Sequence, residues 1–168
     1  EVNPAARVTF NFVPVLLDQL EDYCDQFKTG DIRDPLLELL AEPDLASISP
    51  EQCSLIIESC FKSHHEKMLV PFAYYQRLHN IYLTIESESQ SPINYLSAQY
   101  KADLLTWYHL AWMGESVRRG SKLVQRLMDK GSQFTPQDRL DLFKLIGEII
   151  SDLIPRYKKL QDDGHIEL

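Results

Sequence analysis

A run of aromatic and aliphatic residues at helical spacing, between Ser97 and Met113, constrains the fold more than any other stretch of the chain. Its apolar members share one wide face of an α-helix and are Tyr100, Leu104, Trp107, Tyr108, Ala111 and Trp112. Ser97 can cap its first turn, and Lys101, Thr106 and His109 lie on the opposite face. We therefore predict a central helix with a buried aromatic face and a polar face that meets water.

The same periodicity predicts further helices on both sides of the central one. Their predicted ranges are about 14–28, 35–42, 49–61, 71–85, 120–130 and 135–161. Pro155 lies inside the last of these patterns and predicts a kink, because proline removes a backbone donor. The polar run 86–92 predicts a mobile loop. These patterns give about seven helices in all.

Short strands are predicted at both ends of the chain. Residues 7–12 alternate β-branched or aromatic side chains with polar ones, and a similar alternation begins at 165–168. The predicted fold class is thus mostly α, with a helical excursion over 14–162 between two short strands. Because independent domains rarely begin and end within an element, we expect 1–168 to be a single fragment of something larger.

Composition limits the partners and the compartment. At 168 residues the chain has the size of one domain, and it has no apolar run near the roughly eighteen residues that a membrane span needs. A net charge of −8 argues against nucleic acid or an anionic membrane as partner. Three cysteines, an odd number, favour reduced thiols and a cytoplasmic location, with no disulfide.

Spacing alone predicts no catalytic, cofactor or metal site. Phosphate-binding glycine loops, HExxH pairs and CxxC motifs do not occur in the sequence. Cys60, His64 and His65 are of the types that zinc prefers, but no second Cys/His pair follows at zinc-finger spacing, so we interpret the histidines as residues at a helix end. Asp103, between the aromatic positions, is interpreted as a surface or interhelical hydrogen-bonding residue rather than a catalytic acid.

A family resemblance carries the functional prediction. Four stretches, at 8–23, 102–112, 130–135 and 164–168, read VTFNFVPVLLDQLEDY, ADLLTWYHLAW, KGSQFT and GHIEL. In this order they resemble the TFNxVPxLLxQLxDY, DLxxWxxLAW, KGxxFT and GxxEL segments of glycoside hydrolase family 57. This family comprises retaining α-amylases, 4-α-glucanotransferases, branching enzymes and α-galactosidases. Tyr108 stands where the family more usually has phenylalanine.

The resemblance implies a helical excursion between two strands of an incomplete, seven-stranded β/α barrel, in a parent that hydrolyses or transfers α-glucans. Retaining glycosidases need two carboxyl groups about 5–5.5 Å apart. The resemblance implies that both lie on later strands, beyond Leu168, so that the chain alone is inactive and needs no cofactor. It singles out Glu167 as a substrate-binding residue near the end of a barrel strand, with an α-glucan or oligosaccharide as partner.

A second hypothesis comes from another class of protein. The chain could be an autonomous helical protein-interaction domain without enzymatic activity. The aromatic face of the central helix would then form the groove for a partner. The two hypotheses predict different parent reading frames: one that continues into barrel strands bearing carboxylates, or one that does not.

Overall fold

The structure, a computed structural model, describes residues 8–9 and 13–167 and is mostly helical, as predicted. Within these residues the α-helices are α1 Pro14–Thr29, α2 Pro35–Ala41, α3 Pro50–Phe61, α4 Ala73–Glu88, α5 Ala98–Trp112, α6 Glu115–Gly120, α7 Lys122–Lys130 and α8 Pro136–Asp162. A π-helical turn, His65–Leu69, follows α3, and a 3-10 turn, Pro92–Tyr95, precedes α5. None of the described helices is long and apolar enough to cross a membrane.

Local capping signals determine where several helices begin and end. The Asp34 carboxylate accepts the backbone N–H groups of Leu36 and Leu37 at the start of α2. Ser49 and Gln52 form the predicted capping box of α3, and Ser97 caps α5 as predicted. Gly30 ends α1 in the left-handed region, with a φ of 77°.

The helices differ from the prediction in three places. The predicted loop 86–92 is helical up to Glu88, and Pro92 already opens the 3-10 turn. The helix α6 was not predicted, because its six residues are too few to show a periodic apolar stripe. The helix α8 continues through Pro155 to Asp162; the kink at this proline stays a prediction.

Two short strands lie near the two ends of the chain. They are β1, Val8–Thr9, and β2, Ile166–Glu167, and they pair in parallel with Val8 opposite Ile166 and Thr9 opposite Glu167. Over these four residues the pairing agrees with the predicted parallel order. Residues 7, 10–12 and 168 of the predicted strands lie outside the described part of the chain. That the two strands belong to a barrel remains a prediction.

The chain forms two compact units, of which the first comprises residues 1–33 and 144–168. In its described part, α1 packs on the second half of α8. A Cβ atom at Gly147 would come within 2.6 Å of the Phe27 ring, so the two helices approach closely there. The Cys24 thiol lies 3.8 Å from the Ile150 carbonyl oxygen.

The second unit comprises residues 34–143 and is organised around α5. Helices α2, α3 and α4 all contact α5, so it is covered on several sides. For this reason the predicted polar face is wrong: Lys101 is 6% exposed and Thr106 is fully buried. The Thr106 hydroxyl is satisfied inside the helix, where it donates to the Ala102 carbonyl at 2.8 Å. Trp112, predicted to be buried, is 58% exposed because it is the last helical residue.

Arg139, in the first turns of α8, binds the end of α2. Its side chain is 2% exposed. The guanidinium donates to the carbonyl oxygens of Leu40 at 3.0 Å, Glu42 at 2.6 Å and Pro43 at 3.2 Å. The last carbonyls of a helix have no partner within the helix, and here one buried arginine supplies it.

Candidate functional site

Glu167, the residue that the resemblance assigns to substrate binding, lies in β2 opposite Thr9. The structure describes its backbone, and its side chain lies outside the described part. The neighbouring Ile166 is partly buried. The substrate-binding role of Glu167 therefore stays a prediction, attached to a residue that ends a parallel strand.

Asp103, on α5, binds the loop that connects α7 to α8. Its two carboxylate oxygens accept the backbone N–H groups of Gln133 at 3.0 Å and Phe134 at 2.9 Å. They also accept the side-chain amide of Gln99 at 2.8 Å. Gln133 has a φ of 57°, a left-handed conformation that few residues other than glycine adopt. Asp103 is 6% exposed, so it is a buried hydrogen-bonding residue that fixes the loop, and not a surface residue.

Trp107, one turn further along α5, contacts the same loop. Its indole N–H donates to the Gly131 carbonyl oxygen at 2.7 Å. The Phe134 ring meets the indole edge to face, with centroids 6.4 Å apart, and the Tyr74 ring stacks on it at 6.0 Å. Gly131 has a φ of 74°, and a Cβ atom there would lie 2.7 Å from Cδ2 of Tyr74. Only glycine fits this position without strain.

These contacts join two of the four stretches on which the resemblance rests. Asp103 and Trp107 belong to ADLLTWYHLAW, whereas Gly131 and Phe134 belong to KGSQFT. We call these residues, together with Gln133, the Asp103–Phe134 cluster. Each position needs its residue type for a physical reason. Asp103 accepts hydrogen bonds through its carboxylate, and Trp107 donates one through its indole N–H. Gly131 has a positive φ, and the ring of Phe134 is buried. The sequence identified both stretches but not that they touch.

Asp138, at the start of α8, forms ion pairs with two basic side chains. Its carboxylate pairs with Arg126 at 2.9 Å and with Lys130, and it accepts the backbone N–H and the hydroxyl of Thr135, each at 3.0 Å. Burial alone would raise the pKa of Asp138, but these donors outweigh it and hold the pKa well below its usual range. Asp138 is therefore ionised at neutral pH. As the third residue of α8 it accepts the backbone N–H of Thr135, and the Thr135 hydroxyl, which caps the helix, accepts the Asp138 N–H at 3.2 Å.

A cleft of about 380 Å³ with mixed polar and apolar walls lies beside the Asp103–Phe134 cluster. Its walls come from α4, the start of α5 and the loop after α7: Tyr74, Arg77, Leu78, Ile81, Ser97, Gln99, Tyr100, Asp103, Gly131, Ser132 and Gln133. The Tyr100 hydroxyl donates to the Leu78 carbonyl at 2.7 Å. Of these lining residues only Asp103 carries a carboxylate, and its oxygens are engaged. The cleft lacks the two carboxyl groups of a retaining glycosidase.

The Cys60, His64 and His65 group does not form a three-ligand metal site. Within the residues that the structure describes, no group of three or more His, Cys, Asp or Glu side chains could hold a metal ion. Cys60 is fully buried, and burial raises the pKa of its thiol, which disfavours the thiolate form that binds metals. His64 is exposed.

No protein family, curated protein or solved structure matches the chain. The resemblance to glycoside hydrolase family 57 therefore rests on the four sequence stretches.

Proposed function

We propose that the chain is the helical segment of the catalytic domain of a cytoplasmic glycoside hydrolase or transglycosylase of family 57, whose parent acts on α-glucans. The observation that carries the proposal is the Asp103–Phe134 cluster. Two residues that match the second pattern, Asp103 and Trp107, contact Gly131 and Phe134, which match the third. This contact network gives a physical reason for four of the matching positions.

The parallel pairing of β1 with β2 supports the same proposal. Parallel neighbours need a crossover connection of a dozen or more residues, usually helical. Here the crossover is the helical part from α1 to α8. Such an arrangement is the one expected for a large helical insertion between adjacent strands of a β/α barrel, which is what the resemblance implies.

Within this proposal Glu167 binds substrate and does not attack it. In β/α barrels the active site lies at the carboxyl ends of the strands, and Glu167 is the last described residue of β2. A carboxylate at this place accepts hydrogen bonds from sugar hydroxyls. The nucleophile and the general acid of the parent would lie on other strands, about 5–5.5 Å apart.

The hypothesis of an autonomous interaction domain required an open aromatic face on α5, and the centre of this face is buried. Trp107, at the centre of the aromatic face of α5, is 3% exposed. Phe72, Tyr74 and Phe134 lie against its ring. Because the chain's own side chains occupy this face, it is not a groove that a partner helix could enter.

We expect the 168-residue chain, purified alone, to show no turnover of starch, maltodextrin or aryl α-glycosides, because the proposal places both catalytic carboxylates outside it. Release of reducing ends and of the aryl group measures this. An active α-amylase assayed in parallel sets the detection limit. Turnover above the buffer blank that disappears on mutation of an Asp or Glu in this chain would overturn the proposal.

In the full-length parent, Glu167→Gln is expected to lower kcat/KM for an α-glucan by about tenfold or more, which corresponds to about 1.4 kcal/mol of lost transition-state stabilisation. The amide keeps the shape but removes the negative acceptor. Glu148→Gln, at an exposed position of α8, is the matched control and should leave kcat/KM unchanged. A loss smaller than about threefold in Glu167→Gln, at unchanged thermal stability, would refute the assignment of Glu167.

A further inference from the structure

Two histidines from different elements lie next to each other in the second unit. His65 opens the π-helical turn and His79 lies in α4. Their ring centroids are 5.3 Å apart, with the ring planes inclined by 56°. The Phe61 ring contacts the His79 ring on another side, with centroids 4.8 Å apart. We call His65 and His79 the histidine pair.

The spacing of the histidine pair is compatible with a shared metal ion. Zinc binds imidazole nitrogen at about 2.0–2.1 Å, which puts each ring centroid about 3.1–3.2 Å from the metal. At a tetrahedral angle, two such centroids are about 5.1 Å apart. The observed separation of 5.3 Å is close to this value. One metal ion can therefore lie between these rings once a nitrogen of each ring faces it.

One ring nitrogen of the pair lacks a partner. Nδ1 of His79 is buried and makes no hydrogen bond. A buried polar atom left unpaired is destabilising by about 1–3 kcal/mol, and native structures seldom leave one without water or an ion. Burial, followed by the charge of His65, lowers the pKa of His79, so its ring is neutral at pH 7, the form that binds metals.

The backbone at His65 is also unusual. Residues His65–Leu69 form a π-helical turn, closed by the Val70 N–H donating to the His65 carbonyl at 3.1 Å. Turns of this kind are rare and occur frequently at functional sites. In this chain the turn connects α3 to α4 and brings His65 beside His79.

We propose that His65 and His79 together bind one divalent transition-metal cation of the zinc class, with water completing the coordination. Imidazole nitrogen suits zinc, copper and nickel. Two protein ligands leave the remaining positions open, so the site is weaker than a structural site with four ligands. The bound ion would tie the π-helical turn to α4. The sequence grouped His65 with Cys60 and His64, whereas the structure pairs it with a residue fourteen positions further on.

The test is calorimetric titration of ZnCl₂ into the tag-free chain at pH 7.5. We expect one Zn²⁺ to bind per chain, and His65→Gln and His79→Gln each to weaken binding by about tenfold or more. His64→Gln is the matched control, because His64 is adjacent in sequence and exposed; its affinity should stay within about twofold of the parent's. Binding should also weaken at pH 5.5, because protonated imidazole is not a ligand.

Two results would overturn the proposal. One is the absence of a binding isotherm up to about 1 mM Zn²⁺. The other is Zn²⁺ binding whose affinity is unchanged in both His65→Gln and His79→Gln. Binding at Cys24 would give this result, and a Cys24→Ser variant would then lose it. Circular dichroism verifies that each variant is folded. If His79→Gln does not fold, His65→Gln decides the question alone, because the His65 side chain is exposed and its replacement leaves the core intact.

Discussion

Gly131→Ala is expected to lower the free energy of unfolding by about 2–5 kcal/mol. Two effects add at this position. An alanine at a φ of 74° is strained by about 1–2 kcal/mol. In addition, the new Cβ atom would lie 2.7 Å from Cδ2 of Tyr74 and closer still to Cε2, and overpacking of this kind costs about 1–3 kcal/mol. The Tyr74 ring is stacked on Trp107 but is 42% exposed, so a turn of the ring toward solvent would relieve part of the overpacking at the cost of that stacking.

Gly30→Ala separates the two effects. Gly30 has a similar φ of 77°, with a ψ of 4° against −33° at Gly131, and a Cβ atom there meets nothing within 4 Å. Its substitution therefore shows the strain of a left-handed residue without a steric contact. Urea unfolding followed by far-ultraviolet circular dichroism measures both variants. The explanation fails if Gly131→Ala loses no more stability than Gly30→Ala, or if adding Tyr74→Ala to Gly131→Ala recovers none of the difference.

Asp103→Asn is expected to lower the free energy of unfolding by about 2–4 kcal/mol. The carboxylate accepts three hydrogen bonds, from Gln99, Gln133 and Phe134. An asparagine keeps one acceptor oxygen and turns its NH₂ group toward a donor, so at least one buried N–H group loses its partner. Each such loss costs about 1–3 kcal/mol, and more when the lost acceptor is charged.

The matched control for this substitution is Asp129→Asn, at an exposed position of α7. It removes the same charge and should change stability by no more than about 0.5 kcal/mol. Amide hydrogen exchange gives a second measurement: the N–H groups of Gln133 and Phe134 should exchange faster in Asp103→Asn. A destabilisation below about 1 kcal/mol would show that the loop does not depend on this carboxylate.

Helix boundaries were predicted well where the signal is local. Asp34, Ser49 and Ser97 each cap a helix through N–H groups two or three residues away, and such signals are readable in the sequence. The polar face of α5 was predicted wrongly for the opposite reason. Periodicity shows which residues share a face, but the number of helices that pack around it is a tertiary property. Lys101 and Thr106 are buried because neighbours cover both faces.

The contacts within the candidate sites also could not be predicted from local sequence signals. Asp103 and Phe134 are 31 residues apart, and no local spacing rule connects an aspartate with the N–H groups that it binds. The histidine pair was not predicted from the sequence, because metal motifs are recognised by short spacings between ligands. His79 lies in the next helix, fourteen positions after His65. Glu167 was singled out by resemblance alone, because an acidic residue beside a strand carries no further sequence signal.

The hydrogen bonds from Arg139 to the end of α2 affect how the second unit unfolds locally. A helix of seven residues such as α2 is too short to persist by itself in water. Because its last carbonyls are held by the Arg139 guanidinium, the end of α2 cannot fray unless the first turns of α8 release that side chain or leave a buried cation unpaired. The two segments, about a hundred positions apart in sequence, therefore belong to one cooperative unit of local unfolding. A motion that displaces the start of α8 is transmitted to α2.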